Sequence, residues 1–208
     1  MTDRETHWNE VYGAREETAL TWFEDTPAVS MTLLRRAGLT RQSRVVDVGG
    51  GASRLVDALL ADGVRDVTVL DLSAAALAVA RGRLGARADA VNWVVGDVTK
   101  WDPSQPMDLW HDRAVFHFLT EEADRAAYVR TMMRALPAGA TAVIGTFALD
   151  GARTCRSSGM TRLRWRAPWA TGSRGSTAMP ISTARRWAVP NPLSLACSSG
   201  SDPFYRAG

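Results

Sequence analysis

Hydrophobic and polar positions alternate along this chain as short apolar runs separated by longer amphipathic stretches. The apolar runs predict strands over residues 44–48, 67–71, 91–95, 107–110 and 141–146. The stretches between them predict helices over residues 53–61, 73–84 and 120–136, with Ser73 and Thr120 as N-caps of the last two. Strands that alternate with helices indicate a parallel sheet covered on both faces. We therefore predict an α/β fold, a three-layer sandwich with a doubly wound, mainly parallel sheet.

A separate segment precedes the first strand. Trp8, Val11 and Tyr12 have i, i+3 and i+4 spacing, which predicts a helix with an aromatic face within residues 7–25. A second helix is predicted over residues 30–37.

The turn after the first strand has the sequence Asp47-Val48-Gly49-Gly50-Gly51-Ala52-Ser53. Glycines between a strand and a helix let a ligand approach the backbone closely. A dinucleotide site needs a third glycine at the position that Arg54 occupies here, and the carboxylate of Asp47 would repel phosphates. An acid at this place suits a cation, such as S-adenosylmethionine (SAM), which carries an ammonium and a sulfonium.

Further acids follow the next two strands, where open parallel sheets bind their ligands. Asp71 lies 20 residues after Gly51, a spacing at which a carboxylate accepts hydrogen bonds from both ribose hydroxyls. Asp97 could accept from an adenine amino group, and Leu72 and Val98 could sandwich the adenine ring. Ser53 and the helix start behind it could hold the carboxylate of the ligand.

These motifs resemble those of the class I SAM-dependent methyltransferases over about residues 7–150. The chain is also similar to a subgroup that includes protein-lysine and small-molecule methyltransferases, through His7-Trp8, residues 11–12, Trp22-Phe23, Asp112-Arg113 and residues 117–119. The resemblance implies SAM as cofactor, a small-molecule or protein methyl acceptor, and an N-terminal segment that covers the cofactor. It further implies that Trp22 lines the cofactor pocket.

Asp112 and His117 are candidates for a general base, because both follow the fourth predicted strand. Both have structural alternatives, because His117 could pack against the next helix and Asp112 could pair with Arg113. The sequence shows no metal-ligand cluster, and its two cysteines define no disulfide framework.

The charge of the chain is uneven. Residues 152–208 hold nine arginines against a single acid, Asp202, whereas residues 1–151 hold 16 basic and 21 acidic residues. With only six Leu, Ile, Val and Phe, residues 152–208 predict a basic, disordered tail without the family's C-terminal strands. We therefore divide the chain into a SAM-binding domain, 1–151, and an atypical tail, 152–208. A reading frame lost between Gly151 and about Leu163 would explain the tail, and its absent strands would leave strand five exposed and impair activity.

Three other functions stay open at this point. A nicotinamide-dependent oxidoreductase is disfavoured by Asp47, and a non-catalytic SAM-binding protein would share every cofactor residue. A nucleic-acid-binding arm would use Arg162, Arg164 and Arg166 between Trp165 and Trp169. The polar N-terminus and the lack of an apolar run of about 18 residues lead us to expect a cytoplasmic protein without membrane contact.

Overall fold

The computed structural model describes residues 3–14, 23–113, 115–145 and 160–164, and the structural statements below concern these residues. The helices are α1 (Asp3–Ala14), α2 (Ala28–Arg36), α3 (Leu55–Ala61), α4 (Ala74–Leu84) and α5 (Glu122–Ala135). The strands are β1 (Arg44–Val48), β2 (Asp66–Asp71), β3 (Val91–Val95), β4 (Leu109–Arg113), β5 (Thr141–Gly145) and β6 (Met160–Arg164). Two short 3-10 helices cover Gly85–Ala90 and Phe116–Phe118.

The strands form one sheet in the order β3-β2-β1-β4-β5-β6. The first five are parallel, and β6 runs antiparallel to β5. The chain crosses from one half of the sheet to the other between β3 and β4, so the ends of β1 and β4 lie side by side at the point where ligands bind in such sheets.

Successive side chains of β1 point to opposite faces of the sheet, because the side-chain period of a strand is two. Val45 belongs to a core shared with α2, α3 and α4, whereas Val46 and Val48 belong to a second core shared with α5. Each such fully buried valine contributes roughly 1.5–3 kcal/mol. The two cores make three layers, and the predicted fold class is confirmed.

Two local predictions were wrong. Strand four does not end at Trp110 but continues through His111 and Asp112 to Arg113, because buried hydrogen bonds satisfy the polar side chains that interrupt the apolar pattern. The N-cap of α5 is Glu121 and not Thr120.

One strand lies within the residues that were expected to form a disordered tail. In β6, Arg164 pairs with Thr141 and Met160 with Gly145, so β5 is not an exposed edge over its length. The expectation that no C-terminal strand joins the sheet was wrong for residues 160–164. Backbone hydrogen bonds hold an edge strand whatever its side chains, and for this reason a low content of apolar residues did not reveal it. The other residues of 152–208 lie outside the described part of the chain.

Candidate active site

A cavity of about 160 Å³ opens at the carboxyl ends of β1, β2 and β4. Its walls come from the glycine turn, from the loops that follow β2, β3 and β4, and from α1 above them. Among the residues predicted from the sequence, the following line it: Asp47, Gly49, Gly50, Ser53, Asp71, Leu72, Asp97 and Val98.

The glycine turn leaves no room for side chains. A Cβ on Gly50 would lie 2.6 Å from both Asp47 Oδ2 and Val69 Cγ1. Gly51 has a φ of +42°, and a Cβ there would lie 2.9 Å from Asp71 Oδ2. These contacts bring the backbone of the turn against two carboxylates, which is the arrangement expected of a ligand cradle.

Asp47 is 2% exposed, and its two carboxylate oxygens differ. Oδ1 accepts a hydrogen bond from His111 Nδ1 at 2.7 Å, whereas Oδ2 is buried and has no hydrogen-bond partner among the described residues. A buried carboxylate oxygen without a partner costs free energy unless a ligand satisfies it. Asp47 therefore offers one oxygen to a positively charged group.

Asp71 stands at the end of β2 and is 9% exposed. Its Oδ1 accepts from the Ser73 backbone N–H at 2.7 Å, and the backbone N–H groups of Gly51 and Leu72 also bond to the carboxylate. Burial, with the nearby charge of Asp47 added, raises the pKa of Asp71 to about 6. In the protein without ligand, the carboxyl group of Asp71 is thus protonated in about half of the molecules near pH 6.

Asp97 follows β3 and is held by its own turn. Its Oδ1 accepts from the Thr99 backbone at 2.9 Å and from the Thr99 hydroxyl at 2.7 Å. Arg4 of α1 approaches Oδ2 at 3.8 Å. Leu72 and Val98 supply apolar surface to the same end of the cavity.

Ser53 is positioned by a residue that the sequence analysis missed. Its Oγ accepts from the Leu55 backbone N–H at 3.1 Å, and its carbonyl accepts from Arg83 Nη2 at 2.7 Å. Arg83 also donates to the Ala52 carbonyl and pairs with Asp57 at 2.7 Å. A guanidinium from α4 thus ties the end of the glycine turn to the start of α3.

The two candidate bases are not among the described residues that line the cavity. The Asp112 carboxylate accepts from the backbone of Val115 and Phe116 and, at 2.6 Å, from the Tyr128 hydroxyl. Burial raises its pKa to about 6. These contacts make Asp112 an anchor for the loop after β4 and give no support to its role as a base.

His117 lies in the 3-10 helix of that loop and is half-buried, with its ring 4.2 Å from the ring of Phe118. Burial lowers its pKa. A catalytic role for His117 stays a prediction. Trp22, the third residue of uncertain role, lies outside the described residues.

Replacement of Tyr128 by Phe tests the anchoring role of Asp112. The hydroxyl of Tyr128 also accepts from Trp110 Nε1 at 2.8 Å, so the substitution leaves two buried polar groups short of a partner. We expect the free energy of unfolding to fall by about 1–3 kcal/mol. Two backbone donors still hold Asp112, and the dissociation constant for S-adenosylhomocysteine (SAH) should therefore change less than threefold. Urea unfolding and calorimetry at 15 °C would measure the two quantities, and weakened binding at unchanged stability would contradict the anchoring role.

The helix α1 closes the cavity from above. Trp8 packs edge-on against Phe118 with ring centroids 5.3 Å apart, and both side chains line the cavity with Tyr12. Asn9 fixes the helix in place, because its Oδ1 accepts from the Ser73 hydroxyl at 2.8 Å at the start of α4. The aromatic face predicted from the spacing therefore covers the site, while Asn9 was missed.

An ion pair at the cavity wall was not predicted from the sequence. Glu24 and Arg113 form an ion pair of 2.5 Å at the cavity wall. The guanidinium of Arg54 lies over the neighbouring Phe23 at 5.3 Å from the ring centroid. Residues 23–25 are thereby held against the site by charge and stacking.

None of the described helices is long and apolar enough to cross a membrane. Within the same part of the chain, no group of three His, Cys, Asp or Glu side chains is placed to hold a metal ion.

The chain is similar to known methyltransferases. Residues 45–139 match the family model described as a methyltransferase domain, and no curated protein sequence matches the chain. The N-methyltransferase NodS from Bradyrhizobium japonicum WM9, solved with SAH, has a TM-score of 0.56 at 21% identity, over 68% of this chain and 72% of that one.

Two further structures are similar. The protein of "Conversion of a Disulfide Bond into a Thioacetal Group during Echinomycin Biosynthesis" has a TM-score of 0.54 at 30% identity, over 67% of this chain and 57% of that one. A SAM-dependent methyltransferase from Thiobacillus denitrificans, solved with SAH, has a TM-score of 0.51 at 19% identity, over 65% of this chain and 53% of that one. The chain thus spans little more than half of the length of these two proteins.

The sheet order, the glycine turn and the acidic strand ends define a domain of the class I methyltransferase type. Residues 45–139 match the model of the methyltransferase domain family, in agreement with the resemblance in sequence.

Proposed function

We propose that the chain is a SAM-dependent methyltransferase that transfers a methyl group to a small-molecule or protein acceptor. The observation that carries the proposal is Asp47, whose buried Oδ2 lies against the glycine turn and has no hydrogen-bond partner within the part of the chain that the structure describes. A cation beside this oxygen would satisfy it, whereas a phosphate would be repelled by two buried acids, Asp47 and Asp71. This argues for SAM and against a nicotinamide dinucleotide.

The residues around the cavity fit each part of the SAM molecule. Asp47 would take its ammonium, the turn at Ser53 its carboxylate, and Asp71 its ribose hydroxyls. Leu72 and Val98 would flank the adenine, with Asp97 at its amino group. When bound, SAM supplies a methyl group on a positively charged sulfur, which is already a good leaving group.

The chain itself contributes binding, orientation and exclusion of water. Trp8, Tyr12 and Phe118 form an apolar cover over the acidic turn, so charges beneath it are poorly screened. Holding two reactants in line can lower a barrier by up to about 7–11 kcal/mol. We therefore propose that positioning, and not a dedicated base, provides most of the catalysis.

The remaining parts of the proposal rest on the sequence alone. We propose a division into a cofactor-binding domain, 1–151, and a basic tail, 152–208, with the difference that residues 160–164 pair with the sheet. A cytoplasmic location is consistent with a chain that has only two cysteines and no disulfide framework. The nucleic-acid alternative rests on side chains outside the described residues.

A methyl-transfer assay tests the activity. The full chain is incubated with SAM radiolabelled on its methyl group and with cell extract, and the label is followed into protein and small-molecule fractions. We expect label in one fraction that is absent when SAH is added in excess. Binding of SAH without any transfer would favour the non-catalytic alternative instead.

The affinity for SAH should fall at acidic pH. Ribose hydroxyls donate to the charged form of Asp71, whose pKa of about 6 in the free protein means that a proton must leave on binding below that pH. We therefore expect the full affinity for SAH above pH 7. As the pH falls through 6, the affinity should decrease by up to about tenfold per pH unit. Folding stability should change with pH in the opposite direction. Because the pKa of Asp71 is raised in the folded protein, the contribution of Asp71 to stability is complete below about pH 4 and is lost as the pH rises through 6. Calorimetric titration between pH 5 and 8 measures the affinity, and a flat profile would contradict the role of Asp71.

A further inference from the structure

Three buried polar side chains form a continuous chain from α2 through β4 to β1. Ser30 Oγ lies 3.0 Å from His111 Nε2, and His111 Nδ1 lies 2.7 Å from Asp47 Oδ1. All three side chains belong to residues that are 2% exposed. The strand register explains the inner contact, because Asp47 and His111 are paired neighbours on β1 and β4.

The order serine, histidine, aspartate is that of a hydrolase triad, but the accessibility is reversed. In a triad the serine faces the substrate and the aspartate is the buried end. Here Asp47 and His111 line the cavity, and Ser30 is not among its described lining residues. The functional end of this chain is therefore the carboxylate.

His111 on one side and the backbone of Gly50 on the other fix the orientation of the Asp47 carboxylate. Because a carboxylate can only accept, His111 Nδ1 carries the proton and donates to Oδ1. In the neutral imidazole Nε2 then accepts from the Ser30 hydroxyl, which fixes the ring. On the other side, Gly50 lies so close to Oδ2 that a Cβ would stand only 2.6 Å away. Oδ1 is thus occupied, and Oδ2 is the oxygen left for a ligand.

We propose that His111 is a positioning residue, which holds Asp47 so that Oδ2 receives the ammonium of the bound cofactor. This inference rests on the proposed function. It differs from a general packing role in one measurable respect, because only ligands that carry the amino-acid part of SAM should depend on His111. The nucleoside part would contact Asp71, Leu72 and Val98, which lie at or after the ends of β2 and β3.

The test compares two ligands on the full chain. SAH carries the ammonium, and 5′-methylthioadenosine is the same nucleoside thioether without the amino-acid part. Calorimetry would give both dissociation constants for the wild type, His111→Phe, His111→Asn and Ser30→Ala. We expect His111→Phe to weaken the binding of SAH at least tenfold and the binding of 5′-methylthioadenosine less than threefold.

The asparagine variant keeps the test valid if the phenylalanine variant does not fold. Its side-chain amide can replace the Nδ1 donor to Asp47 but cannot replace both ring nitrogens. We expect it to recover most of the SAH affinity, and Ser30→Ala to lose less than fivefold. Parallel losses for both ligands, or unchanged SAH affinity in every His111 variant, would overturn the proposal. A wild type that binds neither ligand would refute the proposed function instead.

Discussion

Replacement of Gly50 by Ala should abolish measurable SAH binding, or weaken it at least a hundredfold. The new Cβ would lie 2.6 Å from Asp47 Oδ2 and from Val69 Cγ1, so the carboxylate that we propose to receive the ammonium must move. Overpacking of this kind typically costs about 1–3 kcal/mol of stability as well. Gly50 is not among the glycines with positive φ, and the expected effect is therefore steric. Calorimetric titration with SAH and thermal unfolding measure the two effects.

Gly82→Ala is the matched control for this experiment. Gly82 lies within α4, and among the described residues a Cβ there would meet no atom within 4 Å beyond the neighbouring backbone of the helix. Alanine in a helix interior is more favourable than glycine by roughly 0.5–1 kcal/mol. We expect wild-type affinity for SAH and equal or higher stability. Equal affinity in the Gly50 and Gly82 variants would show that the glycine turn does not contact the cofactor.

Replacement of Asp71 by Asn should weaken SAH binding by about 1.5–3 kcal/mol, which is roughly 10- to 150-fold. The amide keeps the shape of the carboxylate but loses the charge that, in the proposed site, strengthens the hydrogen bonds from the ribose hydroxyls. The stability at pH 7 should not fall, because burial already disfavours the charged form, as the pKa of about 6 indicates. Loss of affinity without loss of stability distinguishes a ligand contact from a structural one.

Asp62→Asn controls for the removal of a carboxylate. Asp62 pairs with Arg35 at 3.0 Å on the protein surface, outside the cavity. Its substitution should leave the SAH affinity unchanged. The Asp71 variant should also lose the pH dependence of binding between pH 5 and 7, whereas the Asp62 variant should keep it. A pH profile that survives in the Asp71 variant would assign the titration to another group.

Local patterns in the sequence predict much of this fold. The strands β1 and β3 were predicted with the bounds they have, since each is an apolar run bordered by turn residues. Ser73 caps α4 as predicted, with its Oγ accepting from the Ala76 backbone N–H at 3.1 Å. The glycine turn and Asp71 were found because a spacing of 20 residues between them follows from the βαβ unit itself.

The parts that were missed depend on contacts between distant segments. The pairing of Asp47 with His111 becomes visible only when β4 is known to extend past Trp110, and polar residues hid that extension. Arg83 reaches carbonyls about 30 residues earlier in the chain, and no local pattern marks an arginine in a helix for that task. Asn9 likewise acts on the start of α4, 64 residues away.

Titration of the full chain with SAH and, separately, with NADH tests the central claim most directly. The claim is that buried carboxylates at the ends of β1 and β2 select an adenosyl ligand that carries an ammonium group over a phosphate-bearing one. We predict a saturable heat of binding with SAH at pH 7.5 and none with NADH at the same concentration. Heat with NADH and none with SAH would contradict the account.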